Sequence, residues 1–556
     1  MPTPIDPAAF RTHEVFNQPP PLVDYNLYRS DRALSEAVAR EGAAWAVDAL
    51  TAYGATLGAA ETLELGAVAN RETPRLHAFD RHGVRIDWVE FHPAYHALMM
   101  LQVGEGLHAA PWSDPQPGAH VARAAALFMS GQVEAGTSCP MSMTYASVPV
   151  LRRASPAIQA WLPKLYSRQY DPAHRPSSEK TGVLIGMGMT EKQGGSDVRS
   201  NTTQAAPEGR GGPGEPYRIT GHKWFFSAPM CDAFLVLAQA PGGLSCFFMP
   251  RWTPDGELNA LRLQRLKDKL GNRSNASAEV EFEAALGWLI GEEGRGVATI
   301  IEMVGYTRLD NVTGSAGVQR QAVARAIHHA AGRTVFQRKL IDQPLMTNVL
   351  ADLALESEAA TALALRLARA FDAQDDEAEG LLRRLVTPAA KFWVCKRGPI
   401  LAAEALEVLG GNGYVEDSGM PRLYRELPVY SIWEGSGNVV CLDTLRALRR
   451  EPQTVDALAA ELAPARGADA RLDAKIEAVL ADARGELTES EMRRFCRALV
   501  TTLQAALLMR FAPACMSDAF AASRLGDVGA VFGTLPSGVD TAAIVARASP
   551  EKKADA

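Results

Sequence analysis

The sequence predicts a mainly α-helical protein with one central β domain and an extra helical section at its C-terminal end. Three observations carry this. Apolar residues recur three and four apart from about residue 30 to 180, the pattern changes to alternation and β-rich runs from about 182 to 290, and the helical period returns from Gly294 onward. At 556 residues the chain is too long for one compact core. Domain boundaries are expected at 1–181, 182–291, 292–450 and 451–556.

After a Pro-rich entry (Pro19, Pro20, Pro21), Ser30 and Asp31 can cap the helical segment ALSEAVAREGAAWAVDAL, and HPAYHALMMLQV and HVARAAALFMSGQVEAG continue the same spacing. His92 and His96 stand four apart, a metal-ligand spacing, but no third ligand of the HExxH kind accompanies them and no metal site is expected. The strands are YRITGHKWFFSA, AFLVLAQA, LSCFFMP, ALRLQRL and AEVEFEAALGWLI, separated by Gly and Pro clusters such as RGGPGEP. Long Ala/Leu-rich segments with charges on one face then predict a helical bundle to about 450. The last section holds ALAAEL, RLDAKIEAVLADA and SEMRRFCRALVTTLQAALLMRF before a Gly-rich tail ending in KKADA.

Hydrophobic residues at 47% and charged residues at 22% are those of a folded protein, and a net charge of -7 gives no global field for nucleic acid or an anionic membrane. The seven cysteines are scattered with no CxxC pair, which suits reduced thiols. The N-terminus lacks the basic start and apolar core of a signal peptide, and no apolar run approaches the roughly 20 residues of a membrane span. A cytoplasmic location is expected.

The stretch from Gly186 to Thr203, GMGMTEKQGGSDVRSNTT, follows an apolar run with hydroxyls, glycines and charges that core packing would not use. It reads equally as a ligand cradle or as a polar connection between strands. It does not fit the dinucleotide fingerprint, because the third glycine position is Glu191.

The order of these sections, with MTEKQGGSD, HKWFFS, KLGNRSNAS, RTVF at 333–336, LEVLGGNGY and IWEGSGN in sequence, resembles the acyl-CoA dehydrogenase flavoprotein family. THEVFNQPPPL, NLYRSD and LKDKLGNRSNAS are similar to its AidB-like subgroup, which belongs to the adaptive response to DNA alkylation. The resemblance implies FAD as cofactor, with Met189, Thr190, Gly195, Ser196, Phe225 and Ser227 along the flavin. It implies Arg333 and Phe336 reaching the flavin of another subunit of a homotetramer, and Gly410, Gly411, Ile432, Gly435, Ser436 and Asn438 at the nucleotide end and catalytic loop. Read alone, Phe225 is also a core residue in a strand, Arg333 a solvated charge and Gly410-Gly411 a helix stop.

Taking hydrogens from the α and β carbons of an acyl-CoA thioester needs a base for the α proton, an acceptor for the β hydride and donors for the enolate oxygen. Glu434 stands where the resemblance places the base, although as a residue it is equally a helix-entry carboxylate. Some family members carry the base just before an arginine of a bundle helix. Here that position is Thr307, whose hydroxyl cannot replace a carboxylate. Phe225 in place of Trp, Glu407 in place of Gln and Pro344 in place of Gln depart from ordinary members.

The subgroup also implies association with double-stranded DNA and protection from alkylation, with at most modest dehydrogenase activity of the isovaleryl type. The alternative is a working dehydrogenase on a short or branched acyl-CoA. Residues 451–556 hold 12 Lys and Arg against 15 Asp and Glu, so a basic face must be local. Arg493, Arg494 and Arg497 can share one helix side, and Lys552 and Lys553 add charge in the tail; the other reading is a set of solvated faces.

Overall fold

A computed structural model describes residues 12, 13, 15–526 and 529–550; Lys552 and Lys553 lie outside them. Asp31 caps α1 (Arg32–Val38), its carboxylate accepting from the Leu34 N–H at 3.0 Å. The segment expected to run on as one helix breaks at Gly42, whose φ of 98° is left-handed, and resumes as α2 (Val47–Gly58) and α3 (Ala60–Arg71).

A second departure follows. β1 (Arg75–Phe79) and β2 (Arg85–Glu90) form an antiparallel hairpin inside the section expected to be helical. Its turn is held by Asp80, whose carboxylate accepts from the N–H groups of His82 at 2.8 Å and Val84 at 2.9 Å. Next comes α4 (Pro93–Glu105), capped by His92, opened by Pro93 and closed by Gly106 at φ 84°. It is followed by α5 (Ala119–Val133) and α6 (Ser138–Arg152).

The β domain consists of β3 (Ile185–Gly188), β4 (Gln204–Pro207), β5 (Pro216–Ser227), β6 (Ala233–Ala240), β7 (Gly243–Pro250), β8 (Leu261–Leu266) and β9 (Ser277–Ile290). Pairings run β6–β4–β5–β9–β7 and return to β6, giving a barrel-like circuit; β3 lies parallel to β6, and β8 pairs with β9. β6 sits in the middle and all but one of its residues are buried, which is why AFLVLAQA reads as a continuous apolar run.

The bundle comprises α7 (Gly296–Gly332), α8 (Pro344–Asp372), α9 (Glu377–Val408), α10 (Met420–Tyr430) and α11 (Gly437–Arg450), with a small hairpin, β10 (Thr334–Val335) and β11 (Arg338–Lys339), after α7. The C-terminal section adds α12 (Thr454–Leu462), α13 (Ala470–Arg484), α14 (Met492–Phe511), α15 (Ala514–Arg524) and α16 (Thr541–Ala548). Among the described residues no helix is long and apolar enough to cross a membrane.

The N-terminal helices lock onto the bundle where α5 crosses α7. A Cβ at Gly317 would stand 2.2 Å from the Phe128 carbonyl oxygen, so only glycine permits this approach. Arg123 and Asp310 form a buried two-pronged pair at the crossing, at 2.6 and 2.7 Å, and the guanidinium lies 3.4 Å from the Tyr145 ring centroid. Asp310→Ala strands that guanidinium in the core and is expected to cost about 3 kcal/mol or more. Glu477→Ala, which removes an exposed partner of Arg466, is expected to cost under about 1 kcal/mol. Thermal denaturation of the two variants compares them, and equal losses would contradict the assigned role of the Arg123–Asp310 pair.

Candidate functional site

The stretch from Gly186 to Thr203 leaves β3, and its charges divide into two kinds. Glu191 is fully buried. Its carboxylate meets the Lys223 ammonium of β5 at 2.9 Å and accepts from the Thr202 N–H at 2.6 Å, the Thr202 hydroxyl at 3.0 Å and the Thr203 N–H at 3.2 Å. Burial alone would raise this carboxyl, but Lys223 and these donors hold it well below the usual carboxylate range. This corrects the expectation that core packing uses none of the loop's charges: Glu191 is a core group that anchors the loop. Lys192, Ser196 and Asp197 stand exposed.

Met189 and Thr190 are half-buried and fixed through their backbone, the Asn201 amide donating to the Met189 carbonyl and the Trp224 N–H to the Thr190 carbonyl, both at 2.9 Å. Gly195 permits a close approach that no other residue would, since a Cβ there would lie 2.4 Å from the Thr190 hydroxyl oxygen.

β5 supplies the second wall. Lys223 stands opposite Val280 and Phe226 opposite Ala278, so β5 carries one extra residue between them. This β-bulge breaks the alternation and leaves Trp224 and Phe225 side by side on the less buried face, between buried Lys223 and buried Phe226. Phe226 is fully buried, whereas Phe225 is 53% exposed, so Phe225 is not a core residue. The Lys267 ammonium lies 4.9 Å from the Phe225 ring centroid and 3.2 Å from that of Trp224. At the strand end the Ser227 hydroxyl is 3.1 Å from that of Ser277, which accepts from Lys269 at 3.0 Å. Cys139 of α6 lies by this corner, within the electrostatic reach of Lys269 and Glu434 and near Asn275 and Ser227, and burial pushes its thiol up to about 11.

Glu434 forms the third wall, in the turn between α10 and α11. Glu434 (φ 56°) and Gly435 (φ 99°) are both left-handed, and the carbonyls of three successive residues are held by two cations. Lys391 donates to the Trp433 carbonyl at 2.8 Å and to that of Gly435, and Arg308 donates to the Glu434 carbonyl at 3.0 Å. Arg308 pairs in turn with Asp443, which also accepts from Arg384 at 3.1 Å. With the carbonyls drawn to the bundle, the N–H groups of Glu434 and Gly435 donate to no described residue. The carboxylate accepts from the Thr307 hydroxyl at 2.7 Å through Oε2. Its Oε1 accepts from no described residue. Ser436 is the N-cap of α11, and Ile432 and Asn438 are exposed.

Other sequence-predicted residues gather at a second locus. Arg333 donates to the Asn17 carbonyl at 2.6 Å, so it is anchored rather than solvated, while Asn412, beside Gly410 and Gly411, donates to Gln18 at 3.4 Å. Residues 17 and 18 thus bridge the two. Phe336, at φ 49° in the small hairpin, is 91% exposed. A Cβ at Gly410 or Gly411 would meet nothing within 4 Å. No hydrogen bond or ring contact among the described residues joins this locus to the Glu434 corner.

On α14, Arg493 lies 5.3 Å from the Phe392 ring centroid, Arg497 5.6 Å from that of Trp393, and Arg494 pairs with Glu491 at 3.4 Å. His92 is spent on capping, and His96 bonds the Tyr170 hydroxyl at 2.9 Å. A cleft of about 210 Å³ between Trp161, Phe248, Trp252 and Trp288 contains none of the sequence-predicted residues. Sequence reasoning gave no role to Lys391, Lys269 or Cys139. Lys269 opens the noted stretch KLGNRSNAS, but Cys139 sits among small residues and carries no signal.

Three family models match the chain: the N-terminal domain of adaptive response protein AidB at residues 17–172, the acyl-CoA dehydrogenase middle domain at 186–285 and the acyl-CoA dehydrogenase C-terminal domain at 294–448. The chain is 54% identical over 466 residues to AidB of Escherichia coli (strain K12), covering 84% of this chain and 85% of that one. It is similar to the Caenorhabditis elegans protein ACDH-11 solved in complex with C11-CoA, with a TM-score of 0.82, 27% identity and coverage of 99% and 95%. It shares its fold with an acyl-CoA dehydrogenase from Bacillus anthracis complexed with FAD, with a TM-score of 0.63, 17% identity and coverage of 77% and 80%.

Proposed function

Because the chain belongs to the acyl-CoA dehydrogenase family, in its AidB-like branch, we propose that it oxidises an acyl-CoA thioester with FAD as cofactor and Glu434 as base. One observation carries the reading: a pinned, left-handed turn presents a carboxylate with one oxygen held by Thr307 and the other free, in the corner it shares with Ser227 and Cys139. The donor set fits the cofactor. Phe225 offers an exposed ring face, Met189, Thr190, Gly195, Ser196 and Ser227 a close-approach polar edge, Ile432, Gly435, Ser436 and Asn438 the loop beside Glu434, and Gly410 and Gly411 an open backbone surface at the separate locus of Arg333.

Bound FAD supplies the acceptor for the β-hydrogen and its electron pair. The protein's own part is the α proton, which passes from carbon to Glu434 Oε1, and the carbonyl oxygen, which the free N–H of Glu434 can meet as negative charge develops. The C. elegans neighbour was solved with C11-CoA, so medium-chain thioesters join the short and branched ones as substrates to try. The 91% exposure of Phe336 supports cover by another subunit of a homotetramer.

A second reading is DNA binding with protection from alkylation, favoured by the exposure of Arg493, Arg494 and Arg497 together on α14. The stacking of Arg493 and Arg497 against bundle rings leaves their guanidinium edges to meet phosphates.

Anaerobic mixing of the yellow holoprotein with acyl-CoAs should bleach the flavin, and Glu434→Gln should slow this by about 100-fold or more; bleaching at the parent rate would remove Glu434 as base. Duplex DNA titrated at several salt concentrations should bind less tightly as salt rises. Reversing Arg493, Arg494 and Arg497 to Glu should lower the log–log slope by about 2 to 3, and an absence of binding at low salt would end the DNA reading. Sedimentation should give a tetramer, and a monomer with FAD bound would contradict the shared site.

A further inference from the structure

We propose that Thr307 is the positioning residue of Glu434: its hydroxyl holds one carboxylate oxygen so that the other faces the substrate, and it keeps its hold after the proton has arrived. The inference rests on the reading of Glu434 as base. Thr307 lies on α7, 4% exposed, and its Oγ1 has two acceptors within reach, the Val304 carbonyl one helical turn back at 3.1 Å and Glu434 Oε2 at 2.7 Å. One hydroxyl proton serves one acceptor at a time. While Glu434 is ionised the shorter, charge-assisted bond to Oε2 wins.

When the α C–H bond of the substrate breaks, its electron pair stays with the substrate and its proton goes to the Glu434 carboxyl. A protonated carboxyl donates through the oxygen that carries the proton and keeps acceptor capacity on the other. With the proton on Oε1, Oε2 is the carbonyl-type oxygen of the acid and still accepts from the Thr307 hydroxyl, so both protonation states of Glu434 keep this partner.

The charged groups around the carboxylate leave this task to the hydroxyl. Arg308, beside Thr307 on α7, is spent on the Glu434 carbonyl and Asp443, and Lys391 of α9 on the carbonyls of Trp433 and Gly435. Cys139 faces the site from α6 with a thiol that burial keeps protonated, and Lys269, from the stretch before β9, is engaged with Asn275 and Ser277. Among the described residues, the donor to a Glu434 carboxylate oxygen is Thr307.

The test compares holoprotein carrying Thr307→Val, which keeps the shape and removes the hydroxyl, with Thr307→Ser, which keeps the hydroxyl. Single-turnover bleaching is followed with saturating isovaleryl-CoA, butyryl-CoA or undecanoyl-CoA, and binding is followed with S-nonyl-CoA, a thioether with no acidic α-hydrogen. Loss of a hydrogen bond to a charged group predicts bleaching about 10- to 100-fold slower in Thr307→Val, thioether affinity within about twofold, and a return to within about threefold of the parent in Thr307→Ser. Thr307→Val as fast as the parent, or Thr307→Ser as slow as Thr307→Val, would overturn the positioning role. Glu434→Gln run alongside separates the two readings: if it is silent while Thr307→Val is unimpaired, the positioning role alone falls. If it bleaches like the parent, or the parent bleaches with none of the thioesters, the base assignment falls and this inference with it.

Discussion

Two buried cations holding three consecutive carbonyl oxygens determine what the rest of the site can be. A residue other than glycine in the left-handed region costs about 1–3 kcal/mol, and the turn at Glu434 and Gly435 places two left-handed residues side by side. The bonds from Lys391 and Arg308 offset that strain. Burial pulls the Lys391 ammonium down to about 8, and the hydrogen bonds it makes in the core go to the carbonyls of the turn. The dependence is mutual for Lys391: the turn needs the cations to keep its shape, and the Lys391 ammonium needs the turn's oxygens as acceptors in the core, whereas Arg308 also has Asp443. The free N–H groups follow from this, because carbonyls drawn to one side leave their amides facing the other.

The long periodic elements were legible because each repeats its pattern over many residues. The strands from YRITGHKWFFSA to AEVEFEAALGWLI and the helices of the bundle stand where their periods place them. Short elements were not. The hairpin at 75–90 depends on one side chain, Asp80, closing a turn, and the helix break at Gly42 is a single residue that the surrounding Ala-rich period conceals. Glu191 was misread for a related reason: a charge among glycines looks solvated until its partner is known, and Lys223 arrives from another strand. Glu434 could be singled out only through the stretch IWEGSGN. Nothing in a sequence says which carbonyl an ammonium will meet, so Lys391 stayed hidden in an Ala-rich helix.

The C-terminal section is bound into the molecule by its arginines. Arg366 of α8 bridges Glu379 of α9 and Glu461 of α12, and Arg524 reaches Asp352 and Glu356 of α8. Arg547 of α16 joins Glu358 of α8 to Glu36 of α1, tying the end of the chain to its beginning. The section is therefore held at a fixed place relative to the bundle that carries Lys391 and Arg308.

The bulge at Trp224 and Phe225 separates two jobs that a regular strand would couple. In an unbroken strand every second residue belongs to the core, so any change to a ligand-facing wall is constrained by its neighbours' packing. Here the extra residue lifts Phe225 out of register while Phe226 fills the barrel interior. A substitution at Phe225 therefore changes the exposed face while the packing of Phe226 in the barrel stays in place.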